Sequence, residues 1–182
     1  MVSQHKVKAQ AIAALALLVI SACSSGASVG AMTAPVTDET LISQASPAYR
    51  AISVGDVIGG KETNPLGVTQ VSDANFRAAL LQSLQVHAMS APDRGQYILS
   101  AQLLAWGQPA IGLNSTADAR VHYKLVASDG STKLDDVVET SYTAKLADAF
   151  SGVERLRLAN EGAMQANIEA LLKKAIAILQ GS

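Results

Sequence analysis

The chain has 182 residues, 14 of them basic and 15 acidic, for a formal charge of −1. That balance excludes the concentrated excess of Lys and Arg that marks a nucleic-acid-binding domain. Hydrophobic residues make up 49% of the chain, enough for one domain with a core of its own.

Taken in order, the chain begins with positive charge in His5-Lys6-Val7-Lys8. Residues 11–19 are all Ala, Ile, Leu or Val. A charged start, a short apolar run and small residues at a cleavage point are the layout of a secretory signal. The run is too short to cross a hydrocarbon core of about 30 Å as a helix. Ile20-Ser21-Ala22-Cys23 comes next, and Cys23 is the only cysteine. It has no partner for an intramolecular disulfide, and a free thiol is a liability in an oxidising compartment unless it is modified.

The tetrapeptide resembles the lipobox of bacterial lipoproteins. The resemblance implies cleavage before Cys23, a diacylglyceryl group on its sulfur and an acyl chain such as palmitate on the new amino terminus. Each buried methylene contributes about 0.8 kcal/mol, so one chain anchors marginally and three hold almost permanently. Ser24 follows, and in proteobacterial lipoproteins a residue other than Asp there implies export to the outer membrane. The alternative is an ordinary secretory signal followed by a chance cysteine. Loss of the leader removes Lys6 and Lys8 and takes the charge to −3.

Residues 24–47 are rich in Ser, Ala, Thr and Gly, with Pro35 and Pro47 as breakers. They read as a flexible tether with a span of about 25–30 Å. The expected organisation is a leader at 1–22, a lipidated tether at 23–48 and a folded domain at 49–182.

A first strand is expected over 49–58, with Ile52, Val54 and Ile58 on one face, Asp56 breaking the pattern and Gly55 marking a bulge. Residues 59–67 read as a long loop with neither a Gly-Lys-Ser/Thr nor a GxGxxG phosphate cradle. Ser72 opens the first helix as its cap, with Asp73 in the first turn. Phe76, Leu80, Leu84 and Ala88 form its buried stripe. His87, near the end of that helix, reads as an exposed or capping residue, since no second His or Cys stands at metal spacing.

Residues 97–106 and 117–127 alternate as strands. In the second, Ala119, Val121, Tyr123 and Leu125 point one way and Asp118, Arg120, His122 and Lys124 the other. Asp129-Gly130 signals a turn. A fourth strand over 134–146 places Leu134, Val138, Tyr142 and Leu146 inward and sends Asp135 and Asp136 to opposite faces. Ser151-Gly152-Val153-Glu154 is a capping box for a last helix with a stripe of Leu156, Met164, Ile168, Leu171, Ala175 and Ile178. Arg155 and Arg157 read as surface cations pairing with Glu161, the alternative being contact with something outside the domain, and Gly181 reads as the terminator.

The expected fold is α+β, a two-layer sandwich. Its four-stranded, mostly antiparallel sheet carries two helices on one face, in the order β-α-β-β-β-α. This order resembles small α/β domains of envelope lipoproteins, among them the periplasm-facing partner of the lipopolysaccharide-transport barrel and the amino-terminal domain of the Tol-system propeller protein. Asn64-Pro65-Leu66, Gln108-Pro109 and residues 154–162 (Glu-Arg-Leu-Arg-Leu-Ala-Asn-Glu-Gly) resemble uncharacterised proteobacterial lipoproteins.

Nucleophilic catalysis needs an activated nucleophile with a base in reach. His87 and His122 are the bases outside the leader, and no triad, metal or nucleotide pattern surrounds them. No enzymatic activity, cofactor or metal is expected. Two functions remain. One is a membrane-anchored interaction or assembly module in envelope biogenesis or transport, docking an envelope protein. The other is a carrier or sensor of a lipid or small amphiphile. Candidate partner-binding residues are Trp106, Ile111 and Leu113 in the 106–115 connection, and Arg120, His122 and Lys124 on the polar strand face.

Overall fold

A computed structural model describes residues 26–63, 70–104 and 113–181. After a short helix α1 (Val29–Met32) and a 3-10 turn (Asp38–Thr40), the chain runs β1 (Ile52–Ile58), α2 (Asp73–Val86), β2 (Tyr97–Leu103), β3 (Ser115–Ala127), β4 (Thr132–Ala144) and α3 (Gly152–Gln180). The sheet order is β1-β2-β3-β4. β1 and β2 are parallel, joined through α2, and the other two pairs are antiparallel. The α+β sandwich expected from the periodicities is the fold observed.

Alternation decides which face of the sheet is covered. Tyr97, Leu99, Ala101 and Leu103 of β2 and Ala117, Ala119, Val121, Tyr123 and Leu125 of β3 are buried under the helices. Phe76, Leu80 and Leu84 of α2 and Met164, Ile168, Leu171 and Leu172 of α3 close the core from above. Each such side chain contributes about 1.5–3 kcal/mol on burial. Among the described residues no helix lies over the opposite sheet face, which carries Arg120, His122 and Lys124 of β3 and Asp135 and Glu139 of β4.

Ser72 Oγ accepts from Asn75 N (3.2 Å) and Ser151 Oγ from Glu154 N (3.5 Å), so both helices begin where their caps stand in the sequence. The bulge falls between Val54 and Val57. It shifts the inward parity by one, so Val57 packs inward and Ile58 is exposed, contrary to the simple alternation. α2 stops earlier than its stripe implied. Val86 is its last residue, and Ala88 takes a left-handed conformation (φ 56°) with Met89 N and Ser90 N returning to Leu84 O. β4 likewise ends at Ala144, leaving Leu146 and much of Tyr142 exposed.

The largest departure lies before β1. Residues 26–48 are not a loose tether. Ala27, Met32, Ala34, Thr40 and Ala48 are buried in the core. The segment lies across both long helices: Ala34 N donates to Ser83 Oγ of α2 (3.0 Å), and Gln165 Nε2 of α3 donates to Thr33 O (3.0 Å). Asn75 Nδ2 holds Ala27 O (3.0 Å), and Lys173 pairs with Glu39. The small residues that read as linker composition are small because they fit between two helices.

Candidate functional site

Two regions contain the residues expected to carry function: the open sheet face, and the end of the sheet where β3 begins and β4 stops. Cys23, Trp106 and Ile111 lie outside the described residues. Leu113, two residues before β3, is 74% exposed.

On the open face, Arg120, His122 and Lys124 form a row along β3, as alternation requires. Each meets a carboxylate from β4. Arg120 Nε donates to Glu139 Oε1 at 2.7 Å, its directly opposite residue in the register. His122 Nε2 lies 2.6 Å from Asp135 Oδ1, and Lys124 Nζ 3.5 Å from Asp135 Oδ2. The hydrogen bond from His122 holds the Asp135 carboxyl below the usual carboxylate range, with a smaller contribution from the Lys124 charge. Asp136 points to the other face and pairs with Lys174 of α3, which lowers its carboxyl likewise.

Cross-strand pairs of this kind contribute about 0.2–1 kcal/mol each and weaken with salt. The row is therefore a zipped ladder rather than a bare cationic patch. An incoming partner must either read the ladder's alternating charge or exchange one of its pairs. Among the described residues no hydroxyl is hydrogen-bonded to His122. No group of three His, Cys, Asp or Glu is placed to hold a metal among the described residues. None of the described helices is long and apolar enough to cross a membrane.

Two clefts are lined by described residues. One lies beside the ladder (Asp118, Arg120, Glu139, Ser141), and the other at the start of the described chain (Gly26, Glu62, Thr63, Gln70, Ser72, Asn75). The walls of the second are mainly polar, while those of the first mix polar and apolar surface.

Buried polar groups support these regions from behind. Asn167 of α3 takes the Tyr123 hydroxyl on Oδ1 (2.9 Å) and gives Nδ2 to Val138 O (2.9 Å). Burial holds the Tyr123 phenol well above the usual tyrosine range, so it stays a neutral donor. His87, expected on the surface, sits at the α2 terminus but is buried. Its Nδ1 donates to Ser83 O (2.6 Å), and its Nε2 lies 3.0 Å from Thr40 Oγ1 and 3.3 Å from Pro35 O. It locks the amino-terminal segment to α2. Arg157 pairs with Glu154 and, at 2.6 Å, with Glu161, as its spacing implied. Arg155 does not join them: it is buried and gives Nη1 to Ala149 O and Phe150 O, both at 2.8 Å.

Phe150 was not singled out by the sequence, yet it is 93% exposed. A signal existed. Phe150 precedes the Ser151 cap, where an apolar residue ordinarily staples onto the side chain five positions on. That position is Arg155, which binds the Phe150 carbonyl instead, and the ring is left in solvent.

No family model matches the chain, and no curated protein matches it. Solved structures do. A DUF330-family protein from Xanthomonas campestris has a TM-score of 0.58 at 13% identity, covering 82% of this chain and 94% of that one. A candidate lipoprotein from Caulobacter crescentus has a TM-score of 0.51 at 13% identity, covering 74% and 93%. A protein from Chlamydia trachomatis has a TM-score of 0.52 at 10% identity, covering 72% and 98%. At these identities the likeness is one of fold.

Proposed function

We propose that this chain is a bacterial envelope lipoprotein, held by acyl chains on Cys23 at the periplasmic face of the outer membrane. Its domain serves as a protein-interaction or assembly module and performs no catalysis. The observation that carries the reading is Ile20-Ser21-Ala22-Cys23 behind a charged, apolar leader, with Cys23 the sole cysteine. The fold shared with a Caulobacter crescentus candidate lipoprotein supports it.

The interaction role rests on the sheet. Among the described residues no helix lies over one face, and β4 is an edge strand over Thr132–Ala144. Such an edge offers backbone N–H and C=O groups to an added strand, beside side chains that can specify it. Carriage of an amphiphile, the second reading, needs an apolar cavity. The space between sheet and helices is instead filled by Phe76, Leu80, Leu99, Tyr123, Ile168 and Leu171, all fully buried.

Photo-crosslinking residues at Val137 and Ser141, on the open face of β4, test the module in cells. A discrete adduct with one envelope protein supports it. Absence of an adduct, or a smear of unrelated ones, removes the interaction reading.

A further inference from the structure

We infer that the end of the domain bearing Leu113, Leu146, Phe150 and Val153 rests in the membrane interface, with the Phe150 ring among the lipid headgroups and upper acyl chains. The inference rests on lipidation at Cys23 and adds an orientation to it.

The first observation is where the chain emerges. Cys23 lies three residues before Gly26, so covalent geometry keeps it within about 11 Å of that residue. Gly26 is fixed on the domain. Ala27 N donates to Gln70 O (3.3 Å) and Asn75 Nδ2 to Ala27 O (3.0 Å). These partners flank the start of α2, which follows the carboxyl end of β1. A tether of 25–30 Å would have left the domain free to tumble above the bilayer. The packed segment removes that slack and holds one end of the sandwich against the surface.

The second observation is what that end displays. Ser115 opens β3 opposite Ala144, the last residue of β4, so Leu113 and Leu146 flank one corner of the sheet. The short connection that follows delivers Phe150 and the start of α3 to the same corner. Phe150 is 93% exposed, Leu113 74% and Val153 53%, with Leu146 also open. Polar contacts link this corner to the chain's point of emergence. Ser28 N donates to Glu161 Oε1 (2.7 Å), Arg157 joins Glu161 to Glu154, and Glu154 stands in the first turn of α3 beside Phe150. From Gly152 to Glu161 the helix rises about 14 Å. β1 runs parallel to β2 and β2 antiparallel to β3, so the start of α2, after the carboxyl end of β1, and the corner where β3 begins lie at one end of the molecule.

The third observation is that the protein keeps the ring out. The position that would staple Phe150 holds Arg155, whose guanidinium grips the Ala149 and Phe150 carbonyls and fixes the connection beneath the ring. An outward aromatic with aliphatic neighbours suits an interface where the apolar face enters about 5–10 Å below the headgroups.

The test uses the full acylated chain in vesicles of phosphatidylethanolamine and phosphatidylglycerol. Acylation blocks the Cys23 sulfur, so Phe150→Cys supplies the one thiol for a nitroxide, and Asp129→Cys at the far turn is the reference. Orientation toward lipid gives the nitroxide at 150 at least several-fold higher collision with oxygen relative to a water-soluble relaxer than the one at 129. Equal, water-like collision at both positions, with acyl mass confirmed on Cys23, overturns the orientation and leaves the anchor standing. Spin–spin broadening at 150, or exclusion of both relaxers, means that a second copy or a protein covers the corner and likewise overturns it. Absence of acyl mass on Cys23 overturns the anchor and the orientation together.

Discussion

Asn167 does more for the fold than its single side chain suggests. It is fully buried and binds the Tyr123 hydroxyl and the Val138 carbonyl at once, tying α3 to β3 and β4. Asn167→Ala strands both partners, and an unsatisfied buried polar group costs about 1–3 kcal/mol. The expected loss in urea unfolding is therefore about 2–6 kcal/mol. Adding Tyr123→Phe should cost less in that background than in the wild type, because its hydroxyl has already lost its partner. Strict additivity would show that the two residues do not act together. A second residue-scale prediction concerns Ala88. A left-handed alanine carries a strain of about 1–2 kcal/mol that glycine lacks. Ala88→Gly should raise stability by about 1 kcal/mol, and a clear loss would contradict the strained helix end.

Among the elements, the segment of residues 26–48 has the most to answer for. Met32 is fully buried, so Met32→Ala should cost about 2–5 kcal/mol in equilibrium unfolding. A change below about 0.5 kcal/mol would return the segment to the status of a tether. The caps make a finer comparison. Loss of an N-cap costs about 0.5–2 kcal/mol. Ser72→Ala should cost more than Ser151→Ala, because the Ser72 bond is 3.2 Å and the Ser151 bond 3.5 Å.

The same elements show what sequence can and cannot carry. Period-2 alternation in β3 and the Ser caps are local signals, and the strand faces and helix starts follow from them. The packing of residues 26–48 is a long-range fact. Ala, Ser, Thr and Gly at that density are equally the composition of a linker and of a chain threaded between two helices. His87 and Arg155 misled for a related reason, since their burial depends on Thr40 and on the Ala149 and Phe150 carbonyls, which no spacing rule brings near. Of the candidate site, alternation gave the row of Arg120, His122 and Lys124 on the open face. The carboxylates that answer it depend on the register between β3 and β4. Phe150 became visible only once its missing staple partner was known.

For the whole molecule, surface carboxylates set the acid limit. Asp135 through His122, Asp136 through Lys174 and Glu39 through Lys173 are each held below the ordinary carboxylate range by a hydrogen bond. Their folded values lie below their unfolded ones, near 4. The stabilisation they give is present above that pH and is lost as pH falls through the folded values. The denaturation midpoint should decline below about pH 4. Asp135→Asn should shrink that decline, and added salt should do the same by screening exposed pairs. A midpoint unchanged by Asp135→Asn across this window would show that the ladder does not hold in solution.

Cys23 is the proposed point at which the chain meets the membrane, and fatty-acid labelling reads that attachment directly. Cells producing the wild-type chain and Cys23→Ser are fed an alkyne-bearing palmitate analogue, and the purified proteins are compared. Attachment at Cys23 predicts a label on the wild type and none on the Cys23→Ser chain. Equal labelling of the two, or an unlabelled wild type, would contradict it.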